Sequence, residues 1–175
     1  MRTFIAIDFP EEINDYVLQI QNRLKDVTGL SVAKHFHLTL KFLGEISEEK
    51  AAELKRLLQD IKFNAFKSSL TEIGCFPNSN YIRVVWVGMQ EHPVIELNSM
   101  IEEKLYKAGF RKEKFTPHIT LARVKYLADK SSFLKMLAHI VVEKKEFEIS
   151  EFKLKKSTLT PKEPIYEDLA VFKLE

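Results

Sequence analysis

A chain of 175 residues with 45% hydrophobic and 30% charged residues has the composition of one globular domain, long enough to bury most of the surface its unfolded form exposes. The lone cysteine, Cys75, excludes an internal disulfide framework, and a formal net charge of +2 argues against a strong nonspecific grip on polyanions, leaving only local basic clusters such as Arg111, Lys112 and Lys114. The first apolar run stops at Asp8 and no later stretch reaches membrane-spanning length, so a monomeric, cytoplasmic protein with no membrane partner is expected.

The chain alternates strand and helix signals throughout. RTFIAIDF at 2–9 reads as a strand ending at Pro10, after which Ile13, Tyr16, Val17, Ile20 and Leu24 recur at helical spacing up to Gly29. HFHLTLKFLG at 35–44 is a strand, and SEEKAAELKRLLQDI at 47–61 is a helix with Ser47 as its N-cap. FKSSLTEIGCF is a third strand, closed by a turn at Pro77, Asn78, Ser79 and Asn80. The order then returns: strand YIRVVWVGM, a helix from about Pro93 to Lys107, strand FTPHITLARV, a shorter helix around SSFLKMLAHIV, and strand KEFEISEFKLKK. A final strand, IYEDLAVFKL, follows Pro161 and Pro164.

Subtraction turns this order into a repeat. His118 lies 81 residues after His37, and the same offset carries Ile13 to Val94, Tyr16 to Leu97, Ile20 to Ile101, Leu24 to Leu105, Thr39 to Thr120 and Phe66 to Phe147. An ungapped offset spanning a helix and two strands implies an internal duplication. The fourth helix follows it poorly, with Leu54 falling on Lys135. The expected fold is α+β: one domain over residues 1–175, built as two pseudo-two-fold lobes of roughly 1–80 and 81–175, with mostly antiparallel sheets facing a central cleft and helices outside.

Residues i and i+2 of a strand share a face. His37 and Thr39 therefore point away from Leu38 and Leu40, and His118 and Thr120 point away from Ile119 and Leu121. The apolar partners suit the helix side, so the two His-Thr pairs face the cleft and each other. Two imidazoles serve as one base and one acid at the same pH, and two threonine hydroxyls supply donors to an oxyanion between them. No carboxylate lies in either motif and Cys75 lies outside both, which disfavours a side-chain nucleophile. A phosphodiester, preferably a strained cyclic one, suits this arrangement. His92 and His139 read as structural.

His35 stands apart because its repeat counterpart is Thr116. With His37 and His118 it offers a three-histidine zinc set, an alternative that leaves the threonines without a role. Its plainer reading is a partly exposed residue at the strand entrance. Lys41 shares parity with His37 and Thr39 and is a candidate phosphate contact, or equally a solvated lysine of the rim. Strict alternation turns Arg123 toward the helices, so it reaches the cleft only if the strand bulges. Phe42 and Trp86 are candidates for stacking on bases, against the commoner role of strand aromatics in a core.

HLTL with KFLGE after it, and TPHITLARVK at 116–125, resemble the paired H-x-T motifs of the 2H phosphoesterase superfamily, and more narrowly its RNA 2',3'-cyclic phosphodiesterase branch, also called the 2'-5' RNA ligase family. RTFIAIDFPEEI, GCFPNSNYIRVVWVG and PIYEDLAVFKL resemble the opening, middle and closing segments of that family, so the likeness runs over nearly the whole chain. The resemblance implies hydrolysis of a 2',3'-cyclic phosphate on an RNA end or a nucleotide to a 2'-phosphomonoester, with no metal and no cofactor. It implies His37 and His118 as the catalytic pair, His118 as base and His37 as acid. Thr39 and Thr120 would hold phosphate oxygens, and Arg123 matches a position the family often keeps basic; Lys41, by its strand parity, and His35, by its place at the strand entrance, are further candidate substrate contacts outside the resemblance. It also implies a reversible 2'-5' ligation. Besides the zinc hydrolase, a noncatalytic protein that binds RNA ends remains as an alternative. The approach SVAKHF, where the family commonly has asparagine at the position of His35, separates this chain from the usual pattern.

Overall fold

Ser47 accepts a hydrogen bond from the Lys50 amide, the cap expected for the second helix, and Asp129 does the same for Ser132 at the start of the fourth. The computed structural model describes all 175 residues. In chain order the elements are β1 (Arg2–Asp8), α1 (Glu11–Asn22), β2 (Leu30–Val32), β3 (His37–Glu45), α2 (Glu48–Gln59), β4 (Phe66–Pro77), β5 (Ile82–Met89), α3 (Val94–Lys107), β6 (His118–Val124), α4 (Lys130–Ala138), β7 (Glu146–Ile149), β8 (Glu151–Thr158) and β9 (Ile165–Lys173). The fold is α+β. One contiguous apolar core takes Ile13, Val17 and Ile20 from α1, Leu97, Ile101 and Leu105 from α3, and the buried faces of the strands.

The strands run in the order β7-β4-β5-β6-β3-β1-β8-β9, with β2 added beside β6, and every pairing is antiparallel. The two motif strands, β3 and β6, meet at one pair, Leu38 opposite Ile119. These residues are 81 apart, so each is the other's repeat counterpart and the pair marks the pseudo-two-fold axis. Each half borrows a strand from the other: β4 pairs with β5, and β8 pairs with β1. The spatial lobes are therefore not the contiguous blocks 1–80 and 81–175. Side-chain alternation states which face of a strand is buried but not which strand lies beside it, so the exchange leaves no mark in the periodicity. The stretch 145–156 also breaks at Ser150 into β7 and β8.

Strict alternation fails at matching places in both motif strands. Ala6 pairs with Thr39 and Ile5 with Lys41, which leaves Leu40 extra; Trp86 pairs with Thr120 and Val85 with Ala122, which leaves Leu121 extra. These are β-bulges, and each frees a backbone carbonyl that must find a donor. A helix amide reaches each across the repeat: Asn98 Nδ2 of α3 donates to the Leu40 carbonyl at 2.9 Å, and Gln21 Nε2 of α1 joins the Ala33 backbone amide on the Leu121 carbonyl, each at 2.8 Å.

The first bulge overturns the expectation for Lys41. Its side chain is buried on the helix side, where Nζ lies 3.0 Å from Glu102 Oε1, 3.2 Å from Glu113 Oε2 and 2.6 Å from the Arg111 carbonyl. It is an internal ion-pair residue, and the parity argument that sent it toward phosphate stops at Leu40. Breaking such a pair leaves a buried carboxylate uncompensated. Lys41→Ala is expected to destabilise the fold by about 3 kcal/mol in urea unfolding, while Lys41→Met combined with Glu102→Met recovers most of that loss.

Candidate active site

Continuing the Leu38–Ile119 register by one residue on each side sets His37 opposite Thr120 and Thr39 opposite His118. The four polar side chains thus form a compact quadrilateral on the face opposite the helices, because Leu38, Leu40, Ile119 and Leu121 fill the other side. His37, Thr39 and Thr120 line a cavity of about 380 Å³ together with Arg2, Arg123 and Phe42. His118 is not in that wall. It lies half-buried beside it, its ring 4.8 Å from Phe76 at 88° and 6.3 Å from Trp86. His37 is enclosed in the same manner, 5.1 Å from Phe4 and 5.4 Å from Tyr166, the latter edge-on at 90°.

The second bulge does for Arg123 what the first undoes for Lys41. By pushing Leu121 and Ala122 both into the core, it turns Arg123 out onto the face shared by Thr120, where it lines the cavity. Its repeat counterpart, Phe42, is 58% exposed and lines the same cavity, so the corresponding position carries a cation in one half and an aromatic ring in the other. His35 sits on the rim, 4.0 Å from Glu163 and with its ring 5.3 Å from that of Tyr166. No three His, Cys, Asp or Glu side chains converge in an arrangement that could hold a metal ion. The three-histidine zinc set fails because His35 turns to Glu163 and Tyr166.

Comparison with known proteins agrees with this geometry. The LigT like Phosphoesterase family model matches twice, over residues 7–86 and 87–166, in keeping with the duplication. The chain belongs to the LigT-like phosphoesterase family. A protein of Methanocaldococcus jannaschii named RNA 2',3'-cyclic phosphodiesterase is 42% identical over 171 residues, covering 95% of this chain and 97% of its own. The crystal structure of TT0787 of Thermus thermophilus matches with a TM-score of 0.83 at 28% identity, covering 99% of this chain and 97% of that one. Escherichia coli LigT complexed with 3'-AMP matches with a TM-score of 0.78 at 28% identity over 99% and 97% of the two chains.

Within this LigT-like phosphoesterase the two histidines are symmetric in backbone but not in environment. His118 Nδ1 is 2.7 Å from the Thr116 carbonyl. A carbonyl only accepts, so Nδ1 carries the proton and Nε2 of the neutral ring presents its lone pair. Burial lowers the His118 pKa and the Arg123 charge lowers it further, against the opposing effect of the Thr116 hydrogen bond. His37 has no such anchor. Burial lowers its pKa from 6.5 to about 4, with Asp8 pulling the other way and Lys155 and His35 adding to the depression.

Asp8 and Lys155 were not among the residues the motifs pointed to. Asp8 faces His37 across the β1–β3 ladder. Its Oδ2 takes hydrogen bonds from Lys155 at 2.7 Å and Lys153 at 2.9 Å, and both lysines also reach Asp168 of β9 at 2.8 Å. Burial would raise the Asp8 pKa, but those lysine contacts outweigh it and hold the carboxyl below its ordinary value. Tyr166 is the other omission: it lies on the final strand, outside the repeated five elements, so no partner motif announced it.

Because the folded His37 pKa lies below the unfolded value, folding excludes a proton there. The protein loses stability as pH falls from 6.5 toward 4, where the unfolded chain takes up that proton and the native one does not. The full loss from this residue is about 3 kcal/mol. His37→Gln removes the titration, so urea unfolding at pH 7 and pH 4 should show a smaller acid loss in the variant than in the wild type; parallel losses would contradict the desolvated histidine.

Proposed function

We propose that this cleft hydrolyses the 2',3'-cyclic phosphate at an RNA end to a 2'-phosphomonoester, without a metal, using His118 as general base and His37 as general acid. The observation that carries the reading is the Nδ1 proton of His118 held on the Thr116 carbonyl, which leaves Nε2 as an acceptor beside the mirrored His37. The similar Methanocaldococcus protein is named for this reaction on RNA, and the E. coli structure was obtained with 3'-AMP, which supports a nucleotide in the cleft.

The cyclic phosphate sits between the motifs, its nonbridging oxygens on the Thr39 and Thr120 hydroxyls with Arg123 adding a cation. His118 Nε2 takes a proton from water as the water oxygen bonds to phosphorus. The P–O3' bond breaks, and His37 gives its proton to the departing O3'. One water is consumed, the phosphate remains on O2', and the two histidines have exchanged protonation states, which solvent restores. With an RNA 5'-hydroxyl in place of water as the nucleophile, the same step joins two ends through a 2'-5' linkage, and its reversal opens that linkage. Each proton transfer contributes on the order of 10²–10⁴-fold.

The buried, neutral His37 must be protonated to act. A bound phosphodiester brings the negative charge that favours its imidazolium, so substrate binding itself raises the pKa that burial depresses. Two outcomes follow. With a 2',3'-cyclic nucleotide in EDTA, the wild type yields the 2'-phosphate; His37→Ala and His118→Ala lower kcat at least about a hundredfold, and His35→Ala does far less. Equal, severe losses in all three, or chelator-sensitive turnover, would reinstate a metal site. Second, the pH optimum of kcat lies above that of kcat/KM, because kcat reports the anion-bound histidine and kcat/KM the free one.

A further inference from the structure

The offset of 81 that carries His37 to His118 also carries β2 (Leu30–Val32) to Arg111, Lys112 and Glu113, but the two segments are held differently. In the first repeat β2 lies antiparallel on β6, with Leu30 opposite Val124 and Val32 opposite Ala122, and Ala33 extends the ladder by donating its amide to the Leu121 carbonyl at 2.8 Å. The approach to His37 is thereby fixed by its own backbone. In the second repeat that ladder is missing: residues 111–117 form no strand, and none of them enters a backbone–backbone hydrogen bond. The approach to His118 depends on side chains for its place.

One side chain stands in for the strand. The repeat counterpart of the Val32–Ala122 pair is Glu113 with Lys41, and Glu113 Oε2 lies 3.2 Å from Lys41 Nζ. The same ammonium donates to the Arg111 carbonyl at 2.6 Å and meets Glu102 Oε1 of α3 at 3.0 Å, so its three protons have three acceptors, two of them on the strandless segment. Other ties include Lys112 with Glu103 and Tyr106 at the surface, where an ion pair fixes little, and Phe115 packed on the core. Three residues beyond Glu113 stands Thr116, whose carbonyl is 2.7 Å from His118 Nδ1. Lys41 itself lies four residues after His37, so the strand that carries one histidine secures the segment that orients the other.

We propose that Lys41 is a positioning residue for the reaction: by pinning the segment at the Arg111 carbonyl and Glu113, it keeps the Thr116 carbonyl where it fixes the tautomer of His118. The proposal rests on the reading of His118 as the general base. It gives a part in turnover to a side chain buried on the helix side, out of reach of the phosphate.

The test combines Lys41→Met with Glu102→Met, which cuts the tether without stranding a buried carboxylate, and reads two quantities: turnover of a 2',3'-cyclic nucleotide, and the His118 tautomer from the ring-nitrogen NMR shifts of the neutral imidazole. With urea unfolding close to that of the wild type, kcat should fall by roughly ten- to a hundredfold, the scale for displacing a reacting group by about 1 Å, while KM changes little because Thr39, Thr120 and Arg123 are untouched. The His118 ring should pass from a single Nδ1–H tautomer to a mixture of both, a change that loosening around His37 would not produce. Glu113→Ala, at an exposed position, cuts the tether from the other side and should move kcat and tautomer in the same direction even if the double variant folds poorly. A wild-type kcat or an unmixed tautomer in the folded double variant, or in Glu113→Ala, overturns the positioning role and leaves the cyclic phosphodiesterase reading intact. No turnover by the wild type overturns that reading and the positioning role with it.

Discussion

Everything in the cleft hangs on one backbone pairing, Leu38 with Ile119. The pair lies on the pseudo-two-fold axis, so whatever the first motif presents to one side the second presents to the other. Both side chains are fully buried, which fixes the face on which their neighbours must emerge. A slip of β3 by one residue at this point would send His37 and Thr39 into the helix layer and Leu38 and Leu40 into the cleft. The register is held from behind by the amides of Asn98 and Gln21, each reaching the bulge carbonyl of the strand from the other repeat. Exchange of β4 and β8 between halves ties the repeats together a second time, so that neither half of the cleft is made by one repeat alone.

On that symmetric frame, chemical difference comes from residues one layer out. The clearest case is the position two before each histidine. In the second motif it is Thr116, whose carbonyl holds Nδ1 of His118 and fixes its tautomer. In the first it is His35, which instead turns to Tyr166 and Glu163 and leaves the His37 ring clamped only by aromatic neighbours. The residue five after each histidine differs too: Phe42 in one half and Arg123 in the other. Asp8 and its lysines stand behind His37 alone. A base needs a fixed lone pair, and an acid needs nearby negative charge when substrate is bound; the two environments divide along that line.

The duplication and the H-x-T pairs were legible in the sequence because both depend on spacing, and spacing survives folding. The faces of β3 and β6 were legible only as far as Leu40 and Leu121. Beyond them the period of two fails in both strands, and the same kind of bulge sends Lys41 into an ion pair with Glu102 and brings Arg123 to the cleft. Nothing in a single strand's pattern marks such a bulge, but the repeat offered a hint. Lys41 corresponds to Ala122, and Glu102 to Gln21, so a charged pair in one half replaces a small residue and an amide in the other. Covariation of that kind is the signature of two side chains in contact. Strand exchange and the role of Tyr166 were beyond reach, since one requires knowing which strands pair and the other concerns a strand with no repeat counterpart.

The aromatic enclosure of the two histidines has an energetic consequence that the symmetry alone would not give. Phe4 and Tyr166 around His37, and Phe76 and Trp86 around His118, remove water from both rings and favour their neutral forms. For a base this is useful, since the free ring is already deprotonated. For an acid it is a handicap in the empty cleft, and it is relieved only by an anion. Dry surroundings that penalise the imidazolium alone also strengthen its attraction to a bound phosphodiester. The ring that is hardest to charge without substrate is thereby the one whose charge is most tightly coupled to substrate, so the proton required for the leaving oxygen is recruited by the phosphate it will help to open.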